Sequence, residues 1–392
     1  MAMHATNNSS APAKPEIASD MHPFLRIYKD GRVERLAPDT FVPASEDPGA
    51  TGVSTRDVVI DPATGVSARL FLSAGAVATS RTRLPLVVYF HGGAFCTGSA
   101  FAEPFHGYAA SLSARAKAVV ISVEYRLAPE HPVPAAYDDA WAALRWAASR
   151  SDPWLACHAD PARVFLAGDS AGANIAHHMA ERVAADGTDI SIEGMVLVQP
   201  FFWGTERLPA ETDRRDGPVF SPEFVDSLWP FLTAGAAGND DPRINPPDGE
   251  IASLPCRRVL VAVAGKDVVR DRGCRYAAWL RRGGAGERCC REVTLVESKG
   301  KDHGFQLYRP ECAAALALMD RVAEFINGWA PSRRIADAER RRIWMRGRGR
   351  ARIAGPRLVV DQIRKSVTAQ KGWHGMLLLW LNVQGAEPVL VR

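Results

Sequence analysis

The sequence predicts an α/β fold, a mostly parallel central sheet with helices on both faces and a small cap. Three observations carry that prediction. The runs Leu84–Phe90 and Val259-Leu-Val-Ala-Val263 are apolar throughout, as strands covered on both faces must be. Amphipathic stretches of helical period lie between such runs, and strands alternating with helices build parallel sheets. One junction, Val164-Phe-Leu-Ala-Gly-Asp-Ser-Ala-Gly172, passes from apolar strand through Gly-x-Ser-x-Gly straight into a helix.

Each element follows in order. Residues 1–21 are rich in Ala, Ser and Asn and predict a disordered N-terminus. Residues 24–28 predict a strand, closed by the turn Lys29-Asp-Gly-Arg32. Strands at 56–60 and 66–72 flank the turn Asp61-Pro-Ala-Thr-Gly65; the second alternates, which predicts one wet face. These early strands precede the alternation with helices, so antiparallel pairing is expected. Strands at 84–90 and 118–123 enclose a helix at 105–115, and 138–149 reads as a helix carrying Trp141, Leu144 and Trp146. After the strand 164–167 comes a helix, 173–184, with Ile175, Met179 and Val183 on one stripe. Strands at 195–198, 259–263 and 293–296 follow. A final helix at 312–329 should bury Leu316, Met319, Val322 and Ile326. Residues 200–250 break the pattern, with Phe201, Phe202, Trp203, Phe220, Phe224, Trp229 and Phe231 set among Gly and Pro. They follow the C-terminal end of a strand, where α/β proteins bind ligands, and read as a cap over an apolar pocket; the plainer reading is an irregular excursion packed on the core. The expected organisation is one domain over 22–330, capped by 22–45 and 200–250, and a basic, disordered tail over 331–392.

The net charge of +4 is unevenly spread. From Ser332 onward there are 14 Lys+Arg against 4 Asp+Glu, which leaves the first 331 residues with 34 basic and 40 acidic side chains. The main body is acidic, so nucleic-acid binding by it is not expected. Arg340-Arg-Arg342 and Arg346-Gly-Arg-Gly-Arg-Ala-Arg352 could meet RNA or anionic lipid, but read more plainly as a disordered or spurious extension. The cysteine count is seven, odd and scattered, which fits reduced thiols in a cytoplasmic protein. No secretory leader or membrane span is read from the sequence. The histidines show no H-E-x-x-H spacing, so no metal site is inferred, and no cofactor. The oligomeric state is not readable.

The chemistry starts at Ser170. A serine hydroxyl needs a base to take its proton, and a histidine oriented by a carboxylate is the usual arrangement. Where the serine sits on a strand–turn–helix elbow, the chain order is Ser, then Asp or Glu, then His, the last two past later strand ends. After Val263 comes Ala264-Gly-Lys-Asp267, and Asp267 lies in the loop. Asp271 is the second choice, since it falls in the next helix. After Val296 comes the loop holding His303. His177 and His178 lie on the helix behind Ser170 and read as packing or surface residues. An oxyanion needs aimed N–H donors; Gly92 and Gly93, directly after a strand, and Ala171, after the serine, are the candidates.

These motifs resemble a known family. His91-Gly-Gly-Ala-Phe95, Tyr125-Arg-Leu-Ala-Pro-Glu-His131, Gly168-Asp-Ser-Ala-Gly172 and the Asp267…His303 pair are similar to the hormone-sensitive-lipase-like branch of α/β-hydrolases. Phe24-Leu-Arg-Ile-Tyr-Lys-Asp-Gly-Arg-Val-Glu-Arg-Leu36 and Ala171-Gly-Ala-Asn-Ile-Ala-His177 resemble the plant carboxylesterases more closely. The resemblance covers about 22–329. It implies a serine esterase acting on short-to-medium carboxylic esters, with Ser170, Asp267 and His303 as triad and Gly92, Gly93 and Ala171 as oxyanion hole. It also implies two alternatives. Isoflavanone dehydratases share the fold, and gibberellin receptors bind a small molecule without turnover but lack the catalytic histidine that is present here. One departure stands out: Ala94 takes the place of the family's common third glycine, which predicts a changed acyl-size preference.

Overall fold

The apolar runs become neighbouring strands of one sheet in the computed structural model, which describes residues 15–37, 39–80, 82–212, 220–283 and 292–328. The basic tail and Cys289-Cys290 lie outside these residues. An N-terminal sheet joins β1 (Ile17–Met21), β2 (Leu25–Tyr28) and β3 (Val33–Arg35) antiparallel. The predicted disorder of 1–21 is thus corrected at its end. Asp20 there accepts from the His22 N–H and the Arg26 guanidinium, which stabilises the tight return into β2.

The central sheet contains β4 (Val53–Asp61), β5 (Val66–Ser73), β6 (Leu84–Phe90), β7 (Val119–Glu124), β8 (Ala159–Asp169), β9 (Ile192–Val198), β10 (Arg258–Ala264) and β11 (Glu292–Ser298). Their order is β11-β10-β9-β8-β6-β7-β5-β4. The six strands from β11 to β7 are parallel, and β5 and β4 run antiparallel, as the sequence predicts. The wet face expected of β5 is absent. β5 lies between β4 and β7, and Leu70, Phe71 and Leu72 are all buried. Its one cation, Arg69, is buried too. Its guanidinium meets the Asp57 carboxylate at 2.7 and 2.8 Å and the Val42 carbonyl at 2.6 Å, so burial leaves no unpaired charge.

Helices cover both faces. Glu103–Ala116 and Ala313–Asn327 pack on one side, against Phe71, Tyr89 and Phe165. Ala135–Ser149, Ala171–Ala185 and Arg270–Arg282 pack on the other. The stripe Ile175, Met179 and Val183 is buried as predicted, each side chain contributing about 1.5–3 kcal/mol. The last helix is rotated from its predicted phase: Leu316 is 39% exposed, while Leu318 and Phe325 are buried beside Met319, Val322 and Ile326. Two adjacent apolar positions, 318 and 319, pull the buried arc away from Leu316.

β8, third from one end of the parallel run by chain order but central in space, delivers Ser170 to the sheet's C-terminal edge. The elbow is close-packed. A Cβ on Gly172 would lie 1.9 Å from the Phe90 carbonyl oxygen, and one on Gly168 would lie 2.2 Å from the Gly172 carbonyl. Both contacts are with backbone, so neither can rotate away. Gly172→Ala should therefore lower stability by about 3 kcal/mol, read as a lower urea midpoint. A midpoint equal to wild type would show that the elbow is looser than this packing.

Candidate active site

The serine is held in a conformation that serine rarely adopts. Ser170 has φ 51° and ψ −117°, and its N–H donates to the Val198 carbonyl at 2.9 Å while its carbonyl accepts from Phe201 N–H at 3.0 Å. Those two bonds fix a strained residue between β8 and its helix, which leaves Oγ pointing off the sheet edge. Loops after β10 and β11 bring the partners. His303 Nε2 is 2.9 Å from Ser170 Oγ, and His303 Nδ1 is 2.8 Å from Asp267 Oδ2. The other Asp267 oxygen accepts from the Val269 N–H at 3.1 Å, so the carboxylate cannot swing away. The three residues lie 36 and 97 positions apart along the chain yet form one continuous hydrogen-bonded series. Asp271 does not join it: its carboxylate accepts from the Ala210 N–H and pairs with Arg270.

Burial alone lowers the His303 pKa, but the Asp267 charge and hydrogen bond outweigh it, and the net shift is upward. The imidazole is thus prepared to carry a proton.

The glycine loop departs from expectation at one position. Gly92 donates its N–H to Asp169 Oδ1 at 3.1 Å, so that N–H is already used. Gly92 is therefore corrected from oxyanion donor to anchor. None of the described residues accepts from the N–H of Gly93, Ala94 or Ala171. Gly93 has φ 106°, and a Cβ there would lie 2.1 Å from the Thr97 carbonyl oxygen, so only glycine makes this turn. Ala94 follows at φ 51° with its side chain buried beside Ser170.

Sequence reasoning missed two residues that hold this arrangement. Asp169 is buried and accepts from both Tyr89 Oη at 2.5 Å and Gly92, which ties the glycine loop to the elbow. Burial raises its carboxyl to about 6, opposed by the Tyr89 hydrogen bond and the His303 charge. Gln199 accepts from the Gly304 N–H at 2.7 Å and donates to Gln306 Oε1 at 2.9 Å, which secures the loop carrying His303. The signal for each was a polar residue at a strand's C-terminal end, next to a site residue.

Aromatic side chains flank the site. The Phe220 ring lies 5.6 Å from the His303 ring, and Phe24 of the N-terminal sheet lies 5.4 Å from Phe220 and 5.8 Å from Phe224. Arg35 on β3 pins that sheet to the body by pairing with Glu130 at 2.8 Å and donating to the Cys96 carbonyl at 2.9 Å. The space beside Ser170 and His303 is small, about 20 Å³, and lined by Phe24, Ala94, Phe201, Val225 and Leu228. Phe202, Trp203 and Trp229 are instead buried in the core.

A parallel sheet flanked by helices, with a serine on a strained elbow at its C-terminal edge, defines the α/β-hydrolase class. The chain belongs to this family: the model of the alpha/beta hydrolase fold matches residues 87–307. Within it the chain is a member of the plant carboxylesterase group. It is 42% identical over 326 residues to "Probable carboxylesterase 5" of Arabidopsis thaliana, covering 80% of this chain and 99% of that one. It is 39% identical over 338 residues to the 2-hydroxyisoflavanone dehydratase of Glycyrrhiza echinata, covering 82% and 99%. Among solved structures it resembles EstE1, a thermophilic carboxylesterase from a metagenomic library, with TM-score 0.60 and 27% identity over 75% of this chain and 92% of that one. No helix among the described residues is long and apolar enough to cross a membrane.

Proposed function

We propose that the protein is a serine carboxylesterase that hydrolyses short-to-medium carboxylic esters through an acyl-enzyme. The observation that carries this is the unbroken series Ser170 Oγ, His303 and Asp267, at 2.9 and 2.8 Å. Ser170 Oγ bonds to the ester carbonyl carbon as its proton passes to His303 Nε2. The carbonyl π electrons move onto oxygen, which the N–H groups of Gly93, Ala94 and Ala171 receive. The tetrahedral adduct collapses, the C–O bond to the alcohol breaks, and His303 returns the proton to the leaving oxygen. Water repeats the sequence and releases the acid. Asp267 stabilises the imidazolium in both halves and holds the imidazole in the tautomer that can accept the serine proton. No cofactor enters these steps.

Residues from the N-terminal sheet and from 220–228 form the cap over the acyl pocket in this reading, supported by the aromatic contacts of Phe24, Phe220 and Phe224. Cys96, Cys157, Cys274 and Cys312 are free thiols, which supports the cytoplasm as the proposed location.

A fluorophosphonate probe tests the reading. It should label Ser170 stoichiometrically and stop hydrolysis of p-nitrophenyl butyrate. Tight ligand binding with no labelling would instead point to a receptor, and isoflavanone dehydration without ester turnover to a dehydratase.

Ala94 gives a specificity prediction. Its methyl lies in the acyl pocket at a backbone conformation that glycine adopts freely. Ala94→Gly should raise kcat/KM for branched or longer acyl esters about tenfold relative to butyrate, since one methyl is worth about 1–3 kcal/mol of discrimination. An unchanged ratio across a graded ester panel would remove Ala94 from the pocket.

A further inference from the structure

Behind the elbow, the helix Ala171–Ala185 carries a second cluster that the hydrolytic reading does not use. His177 and His178 precede Glu181 by four and three residues, so all three reach one face. Their ligand-capable atoms lie within 4.8 Å of one another. The motif is H-H-x-x-E, which a search for H-E-x-x-H spacing passes over.

The hydrogen bonding of the two rings is informative. His178 Nε2 lies 2.8 Å from the Arg243 carbonyl oxygen, which can only accept, so Nε2 carries the hydrogen. In the neutral ring Nδ1 then presents a lone pair, and it faces Glu181 Oε2 at 2.9 Å. His177 faces the same carboxylate. Its Nε2 is buried and 3.1 Å from the buried Glu181 Oε1, yet the two are not aligned for a hydrogen bond. A shared proton needs donor and acceptor pointed at each other; a metal ion needs both lone pairs pointed at a third place.

The surroundings match what a metal ion asks of its ligands. A coordinating imidazole donates its other N–H to a carbonyl, carboxylate or hydroxyl, which fixes the ring. His178 has the Arg243 carbonyl for this, and His177 Nδ1 has Tyr276 Oη at 3.0 Å. The nearby Arg243 cation is held by Asp241 at 2.5 Å, which cuts its repulsion of an incoming ion. His178 and Glu181 are 14% and 26% exposed, which gives an ion entry and leaves a coordination position for water.

We propose that His177 Nε2, His178 Nδ1 and the Glu181 carboxylate form a binding site for a divalent transition-metal ion of the zinc class. Two imidazoles, one carboxylate and a water suit a tetrahedral ion with bonds of about 2.0–2.2 Å. No two of the ligand atoms are more than 4.8 Å apart, and tetrahedral bonds of about 2.0–2.2 Å space ligands by about 3.3–3.6 Å, so each separation changes by no more than about 1.5 Å, within the range of side-chain rotations. The site is structural. It ties the nucleophile helix to the segment at Arg243 and to the helix bearing Tyr276, and takes no part in the chemistry at Ser170.

Cobalt(II) is the probe, because its absorption reports its ligands. Chelator-treated full-length protein titrated with cobalt(II) should bind one ion per chain with the visible bands of nitrogen and oxygen ligation and no intense thiolate band. Zinc should displace it and raise the thermal midpoint. His178→Ala and Glu181→Gln, checked for folding by circular dichroism, should each weaken binding at least about tenfold and leave ester turnover unchanged. Tyr276→Phe should weaken binding about 10- to 100-fold. His178→Ala keeps the test open if His177→Ala fails to fold, since His178 is partly exposed. No binding, affinity unchanged in both His178→Ala and Glu181→Gln, or a dominant thiolate band would each overturn the proposal.

Discussion

Ser170→Ala should lower kcat for p-nitrophenyl butyrate about a millionfold, to a residue set by binding and the oxyanion donors alone. The reason is that alanine leaves no atom to form the acyl bond, while His303 and Asp267 have nothing to act upon. Thermal stability should change little, since Ser170 Oγ has His303 as its hydrogen-bond partner and the strained backbone is kept by Val198 and Phe201. KM should stay near the wild-type value, because the acyl pocket does not depend on Oγ. Comparing initial rates after removal of any contaminating esterase, with probe labelling alongside, checks the result. Turnover within tenfold of wild type would place the nucleophile elsewhere.

Asp267→Asn should cost about 10⁴-fold in kcat with the fold intact. An asparagine amide can donate to His303 Nδ1, which puts the remaining ring hydrogen on Nε2 and removes the lone pair that must take the Ser170 proton. The pH profile supplies a second readout. Turnover needs neutral His303, and its pKa is raised by Asp267 against the lowering effect of burial. The acidic limb of wild-type kcat/KM should therefore lie above the ordinary imidazole value. In Asp267→Asn the raising interaction is gone while burial remains, so the residual limb should move to lower pH. A limb that stays in place would mean that another group sets it, with Asp169 the first to examine.

Much of the fold was legible because strands buried on both faces are apolar throughout and helices between them carry one apolar stripe. Leu84–Phe90 and Ile175–Met179–Val183 both follow that logic. The misses share a different cause. β5 alternates in sequence, yet the helices Glu103–Ala116 and Ala135–Ser149 cover its two faces, and Arg69 is tolerated there only because Asp57 meets it. Leu316 fits a helical stripe as well as Leu318 does, and only the neighbouring helix decides between them.

The elbow, the order Ser170, Asp267, His303 and the places of the last two past strand ends are all readable from the chain, because they follow from local pattern and the direction of a parallel sheet. It took the tertiary structure to show which N–H groups of the glycine loop and elbow have no acceptor among the described residues. The Gly92 N–H goes to Asp169, a residue 77 positions away in the chain. The tertiary structure also decided that His177, His178 and Glu181 converge with Tyr276 and Arg243 behind the same elbow. A hydrogen bond or a ligand set is a property of atoms within about 3 Å of each other, and chain spacing does not encode that distance once the partners sit on separate elements.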